Sequence, residues 1–437
     1  MNVSHLNQLL LKGSGALDEL FPHVVRLAAS GTAFAIDFGL PALPTEPGVL
    51  LVRGARQYGK STWLEQQLRD SVLAGGPGSA FYLNGDHIAD APALADELQA
   101  LVPLFRPDAP HRRLFIDEIT AIDGWEKALK KVLDAGSLRD VLIVTTGSRA
   151  RDLRRGAERL PGRKGKLART NYLFTPLSFR AFEAKAGAHF GDDSVIAYLL
   201  TGGCPVAASE LLHYGRLPEH IIEMVRDWIF GECALSGRDR ASLMAVWEAI
   251  LRRGGTPIGQ SNLAREAGLA NNTIAAGYVQ LLADLTCIGT AWAWDENRKI
   301  AVRQRPAKFP PTNLLAAVAF DRSRLRSVAD FKALAPEEQG RWYEWLLAQE
   351  IWRRAAIRGE DTPDQLLYWR SSAHEIDYVV RPELLIECKR GQTSALEFGW
   401  FGKTFPRSEL WIVGRDAFLG QRIRGRTFAE LLRDETW

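Results

Sequence analysis

A chain of 437 residues, 46% hydrophobic and 24% charged, has the composition of a globular protein with buried cores, and at about 150 residues per domain it is long enough for about three. No apolar run reaches the ~18–20 residues of a membrane helix, and no basic region with a long apolar stretch opens the chain, so neither a membrane partner nor a signal peptide is expected. The cysteines, Cys204, Cys233, Cys287 and Cys388, are far apart and form no C-x-x-C, which argues against a disulfide framework or a zinc site and fits a cytoplasmic location. The net charge of +3 is uneven. Residues 148–170 hold nine Arg or Lys against Asp152 and Glu158, a local +7 that leaves −4 for the remainder. Such a segment reads as a solvated surface or as a contact with the phosphates of a nucleotide or nucleic acid.

In chain order, the first informative stretch is "GVLLVRGARQYGKSTWLEQQLRDSVLA" (48–74), an apolar strand, a glycine-bounded loop and a helical pattern. The loop fits G-x-x-x-x-G-K-[ST] with Gly54, Gly59, Lys60 and Ser61, followed by Thr62. Its backbone N–H groups and the positive helix N-terminus suit phosphates, so ATP is the expected ligand. Lys60 is expected to reach the β- and γ-phosphates, and Ser61 to ligate Mg2+. "RRLFIDEIT" (112–120) is a strand ending in Asp117 and Glu118. There Asp117 suits the Mg2+ shell and Glu118 the attacking water. "DVLIVTTGSRA" (140–150) gives a third strand, with a hydroxyl near its end, Thr146, placed to sense the γ-phosphate. Strands alternating with helices from about 49 to 175 imply a parallel sheet with helices on both faces and ligands at the carboxyl ends of the strands.

"LLVRGARQYGKST", "LFIDEITAIDGWEKALKKVLDAG", "VLIVTTGS" and "LPGRKGKLARTNYLFTPLSFRAFE" resemble a widespread group of bacterial and archaeal AAA-type ATPases. In that group a P-loop module precedes a C-terminal domain of uncharacterised function related to PD-(D/E)XK nucleases. The resemblance spans about residues 30–415. It implies that Arg163, in "LPGR", acts as a finger or sensor on the γ-phosphate, from a neighbouring subunit of a homo-oligomer or across the lid. The added "KGKLART" makes Arg169 the second choice for that role.

The middle of the chain reads as helices over 176–240, broken by Gly-Gly-Cys-Pro at 202–205, which matches a Gly-Gly-x-Pro segment of the same group and is read as a helical lid. Over 241–302, "SLMAVWEAILRRGG", "SNLAREAG" and "NNTIAAGYVQLLAD", followed by two short strands, have the spacing of a winged helix-turn-helix. If it reads DNA, Asn271, Asn272 and Thr273 enter the groove and Arg298 or Lys299 lies on the wing. The other reading is a spacer, since the second helix carries no Arg or Lys.

"RQRPAKFPPTN" (303–313) is proline-rich and basic and marks a boundary before residues 313–437. Beyond it, a helix carrying Glu344 and Glu350 precedes strand patterns at 365–370, 375–380 and 384–390, then a helix and a last strand. The order αβββαβ is that of the PD-(D/E)XK core. Glu387 and Lys389, two apart on one strand, share a face, and Cys388 points the other way. Asp377 on the paired strand can meet Glu387, and two carboxylates suit Mg2+ or Mn2+ against a phosphodiester, with Glu344 adding a third and Lys389 positioning the water. The same E-x-K pattern also occurs as a surface salt bridge, and a nuclease-like fold does not by itself establish cutting.

The expected architecture is therefore α/β throughout: a P-loop ATPase core (1–175), a helical lid (176–240), a winged helix-turn-helix (241–302) and a nuclease-like domain (313–437). The expected function is a Mg2+-dependent ATPase of AAA type acting on or regulated by DNA. Two alternatives stand beside it: a regulatory ATPase whose C-terminal domain binds without cutting, and a nuclease for which nucleotide is only a structural switch.

Overall fold

The computed structural model describes residues 3–13, 17–29, 33–147 and 166–437. The chain forms two compact units, Met1–Thr175 and Pro176–Trp437. Among the described residues no helix is long and apolar enough to cross a membrane.

In the first unit, helices α1 (Val3–Leu10), α2 (Leu17–Leu20) and α3 (Pro22–Ala29) precede strand β1 (Gly48–Arg53). Then come α4 (Lys60–Gly75), β2 (Ala80–Asn84), α5 (Ala91–Leu101), β3 (Arg113–Asp117), α6 (Trp125–Asp134), β4 (Leu142–Gly147) and β5 (Asn171–Leu173). The strands form one parallel sheet in the order β2-β3-β4-β1-β5. Their sequences are near-continuous apolar runs because both faces of such a sheet are covered. Leu50, Val52, Phe81, Leu83, Leu114, Ile116, Ile143 and Val144 are fully buried. One face packs on α5 and α6 through Leu94, Leu98, Trp125 and Leu129. The crossovers place β4 between β1 and β3, pairing Arg53 with Gly147 and Ile116 with Thr145. The carboxyl ends of three strands that are far apart in sequence therefore lie side by side.

The second unit begins with α7 (Phe179–Phe190), α8 (Ser194–Thr201), α9 (Pro205–Tyr214) and α10 (Glu219–Leu235). Helices α11 (Arg240–Arg253), α12 (Gln260–Glu266) and α13 (Asn272–Asp284) follow, then an antiparallel hairpin of β6 (Thr290–Asp295) and β7 (Ile300–Val302). After α14 (Leu314–Phe320), α15 (Val328–Lys332) and the long α16 (Pro336–Arg358) come β8 (Gln365–Arg370), β9 (Glu375–Ile376), β10 (Tyr378–Arg381) and β11 (Leu384–Cys388). Helix α17 (Phe401–Thr404), β12 (Glu409–Gly414), β13 (Ile423–Thr427) and α18 (Phe428–Arg433) complete the unit.

Two sheets result, β7-β6-β8-β9 and β10-β11-β12-β13. The hairpin does not stand free, because β6 also pairs in parallel with β8, Thr290 opposite Gln365. Residues 303–313 do not hang between domains either. Ala307, Lys308 and Pro311 bridge to Ile258, Ala291 and Ile288, so the stretch runs along the edge of this sheet.

Glu350, read from the sequence only as a carboxylate on the long helix, has a structural role. It is 1% exposed and accepts from Arg353 at 2.8 and 2.9 Å and from Arg354 at 2.6 Å. Burial alone would raise its pKa; the two guanidinium groups outweigh burial and hold it below its ordinary value. Arg354 also donates to the Asp434 carbonyl at 2.6 Å, tying α16 to the end of α18. Glu350→Ala leaves two buried cations unpaired, and a loss of about 3–5 kcal/mol of stability is expected. A urea midpoint within error of wild type would contradict this.

Candidate functional site

The loop between β1 and α4 is shaped by two glycines for different reasons. Gly59, the N-cap of α4, has φ +98°, which a side chain would strain. At Gly54 the constraint is space: a Cβ there would lie 2.8 Å from the Phe174 carbonyl oxygen, next to β5. Lys60 opens α4 and is 4% exposed. Its Nζ donates to the Gly54 carbonyl at 3.0 Å and the Ala55 carbonyl at 2.8 Å. Burial lowers its pKa, and Glu118 and Asp117 oppose that effect. Ser61 and Thr62 follow in the same turn, both half-buried. The first turn of α4 carries no acidic side chain, so nothing there opposes an anion.

Asp117, at the end of β3, is 5% exposed. Thr146 Oγ1 donates to its Oδ1, the Ser61 hydroxyl also hydrogen-bonds it, and Tyr82 Oη donates to Oδ2 at 3.4 Å. Burial pushes the Asp117 carboxyl up, while the bonds from Thr146 and Ser61 pull it down. Glu118 sits in the left-handed region with φ 45°, an unfavourable place for a non-glycine residue that holds only where the surroundings enforce it. Its N–H donates to Thr146 Oγ1 at 3.1 Å and Asp117 Oδ1 at 3.2 Å. Thr146 therefore links the two acidic residues.

Lys60, Ser61, Asp117, Glu118 and Thr146 thus meet at one sheet end, and this donor set fits a nucleotide with its divalent ion. Arg163 and most of the basic 148–170 segment lie outside the described residues. Arg169 is described: its Nε donates to the Asn171 carbonyl at 2.9 Å and its guanidinium stacks 4.3 Å from the Tyr172 ring centroid. Tyr82, whose hydroxyl touches Asp117, is part of the site but carried no sequence signal beyond its place in an apolar strand.

Parallel sheet, phosphate loop, buried lysine and acidic strand end together define a P-loop nucleotide-binding fold. Residues 46–183 match the family model described as AAA domain. Comparison with curated proteins gives no match. Among solved structures, the chain is similar to the Walker-type ATPase PABY2304 of Pyrococcus abyssi (15% identity, 62% of this chain and 90% of that one, TM-score 0.42). It is also similar to the ORC2 protein of Aeropyrum pernix (13%, 70% and 92%, TM-score 0.36) and to a RuvB variant of Thermotoga maritima (15%, 67% and 93%, TM-score 0.31).

The second unit holds the other predicted group. Glu344, Glu375, Asp377, Glu387, Cys388, Lys389 and Arg390 line a pocket of about 340 Å3. Asp377 and Glu387 do meet: the Asp377 N–H donates to Glu387 Oε2 at 3.0 Å, and the Cys388 N–H donates to Asp377 Oδ2 at 3.0 Å. Lys389 pairs with Glu387 Oε1 at 2.6 Å. Cys388, expected to face away, lines the same pocket. Missed from the sequence was Lys308, 1% exposed, whose Nζ lies 2.8 Å from Glu375, 3.2 Å from Asp377 and 3.3 Å from Glu344. Burial would lower the Lys308 pKa, but Glu344, Asp377 and Glu375 outweigh it and raise it, so the ammonium stays charged. Burial and Asp377 push the Glu344 and Glu387 carboxyls up.

Proposed function

We propose that the chain is a Mg2+-dependent ATPase of AAA type whose nucleotide state controls a DNA-facing second unit. The observation that carries the ATPase reading is the meeting of the buried Lys60 ammonium with Ser61, Asp117 and Thr146 at the carboxyl ends of β1, β3 and β4. Lys60 exchanges its bonds to the Gly54 and Ala55 carbonyls for oxygens of the β- and γ-phosphates. Ser61 and Asp117 would hold Mg2+, which would neutralise charge on those phosphates. The Glu118 carboxylate orients the attacking water and accepts its proton. Thr146 fixes Asp117 and the Glu118 backbone, and Arg163 or Arg169 supplies the finger.

Within the second unit we read residues 176–240 as a lid, 241–302 as a winged helix-turn-helix and 313–437 as a PD-(D/E)XK-like domain. The order α11, α12, α13 and then the β6–β7 hairpin supports the second of these. Asn272 and Thr273 are exposed at the start of α13, and Arg298 and Lys299 at the hairpin tip. Asn271 is also exposed, but its Oδ1 caps the helix by accepting from the Ile274 N–H at 3.0 Å, leaving only its amide N–H groups for a base.

Duplex DNA is expected to stimulate ATP turnover by the full chain. Arg298→Ala with Lys299→Ala should weaken DNA binding evenly across sequences and flatten its salt slope by about two, about one per lost phosphate contact. Turnover indifferent to DNA, with an unchanged salt slope, would favour the regulatory alternative. That alternative draws on one observation of its own, the Lys308 ammonium among the carboxylates of the C-terminal pocket.

A further inference from the structure

A hard divalent ion takes carboxylate oxygens at about 2.0–2.6 Å and needs lone pairs that no proton donor has claimed. In the C-terminal pocket a protein donor already holds each oxygen of Asp377 and Glu387, and an ammonium fills the space between Asp377, Glu344 and Glu375. Of the Asp377 carboxylate, Oδ1 accepts from Lys308 Nζ and Oδ2 from the Cys388 N–H. Of the Glu387 carboxylate, Oε1 pairs with Lys389 Nζ and Oε2 accepts from the Asp377 N–H. Glu344, the third carboxylate expected at the ion, turns its Oε1 to the same Lys308 ammonium. Among the described residues no group of three or more His, Cys, Asp or Glu is arranged to hold a metal ion. The residues present do not fit the metal that this fold type implies.

Lys308 takes the central position instead. An ammonium has three N–H donors, and one oxygen each of Glu344, Glu375 and Asp377 lies within 2.8–3.3 Å of Nζ. The backbone holds it there: the Lys308 N–H donates to the Ala291 carbonyl at 2.9 Å, and the Ala291 N–H returns the bond at 2.8 Å. The Tyr368 ring lies 5.5 Å from Nζ. Arg370, 3.5 Å from Glu375, and Lys389 offset further negative charge. A fully engaged ammonium offers no open coordination position and cannot generate a metal-bound hydroxide.

We infer that Lys308 is the resident cation of this pocket, standing where a divalent ion would stand, so that the C-terminal domain binds its ligands without metal-dependent cutting. The inference deepens the nuclease-like reading of residues 313–437, and its test does not depend on ATP turnover or DNA.

The probe is Mn2+, followed by electron paramagnetic resonance on the nucleotide-free full chain, with Asp377→Asn as reference. At about 1 mM Mn2+, the weak end of protein affinities for hard divalent ions, wild type and Asp377→Asn should bind equal amounts. Lys308→Ala should gain one bound ion, at least about tenfold tighter than any wild-type binding in the pocket, and lose it when Asp377→Asn is added. Lys308→Gln, which keeps the bulk of the side chain without its charge, should gain the same ion. If the lysine variants fail to fold, the comparison of wild type with Asp377→Asn decides alone. One more Mn2+ in wild type than in Asp377→Asn, or weaker binding in Lys308→Gln than in wild type, would overturn the inference.

Discussion

Lys60→Ala is expected to abolish ATP turnover and to weaken ATP binding about 100-fold or more, the scale on which removal of one buried charge-stabilising donor is felt. The ammonium is desolvated by the fold, since Lys60 is 4% exposed. Its Nζ donates to two loop carbonyls, so a phosphate oxygen replaces a neutral acceptor with a charged one. Nothing else in the loop offers a buried cation; Arg56, on the same loop, is exposed. Folding should be largely spared, because Asp117 keeps its hydrogen bonds from Thr146, Ser61 and Tyr82 when the ammonium is removed. Titration with a fluorescent ATP analogue checks the binding, and wild-type affinity in the variant would remove Lys60 from the site.

Glu118→Gln is expected to separate binding from chemistry. The amide keeps the size and one acceptor of the carboxylate but cannot accept a proton, so turnover should fall by about 10²–10⁴. ATP affinity should stay near wild type, since the backbone N–H bonds to Thr146 and Asp117 do not involve the altered atoms. The left-handed backbone at Glu118 persists for the same reason. Single-turnover phosphate release distinguishes the outcomes, and wild-type turnover in this variant would take the base assignment away from Glu118.

What the sequence made legible were features written within a few residues of one another. "GARQYGKST" announces the phosphate loop, "FIDE" the acidic strand end and "VTTGS" the hydroxyl beside it, and the parallel sheet brings their strands together. Asp377 and Glu387 were also within reach, because a short antiparallel turn separates their strands. Lys308 was not, since it lies 69 residues before Asp377 in a stretch whose prolines suggested a domain boundary. Its role depends on the bridge to Ala291 and on the parallel pairing of β6 with β8, neither of which leaves a local pattern. Glu375 did leave one: two residues before Asp377, it shares a strand face with it. The strand expected over 375–380 is split at Asp377, whose N–H turns to the Glu387 side chain. The helix expected across "SALEFGWFGKTF" is two short turns, Ala395–Phe398 and Phe401–Thr404, with Gly399 between them costing helix stability. Strand β13, "IRGRT", went unread because its alternating Arg residues and central glycine lack a strand's apolar signature.

The most direct measurement is phosphate release from ATP by the full wild-type chain in Mg2+, repeated with EDTA and in Lys60→Ala. Turnover is expected in the first case and none in the other two. Turnover that persists in EDTA or in Lys60→Ala, or a folded wild-type chain that binds ATP in Mg2+ and releases no phosphate with or without DNA, would contradict this expectation.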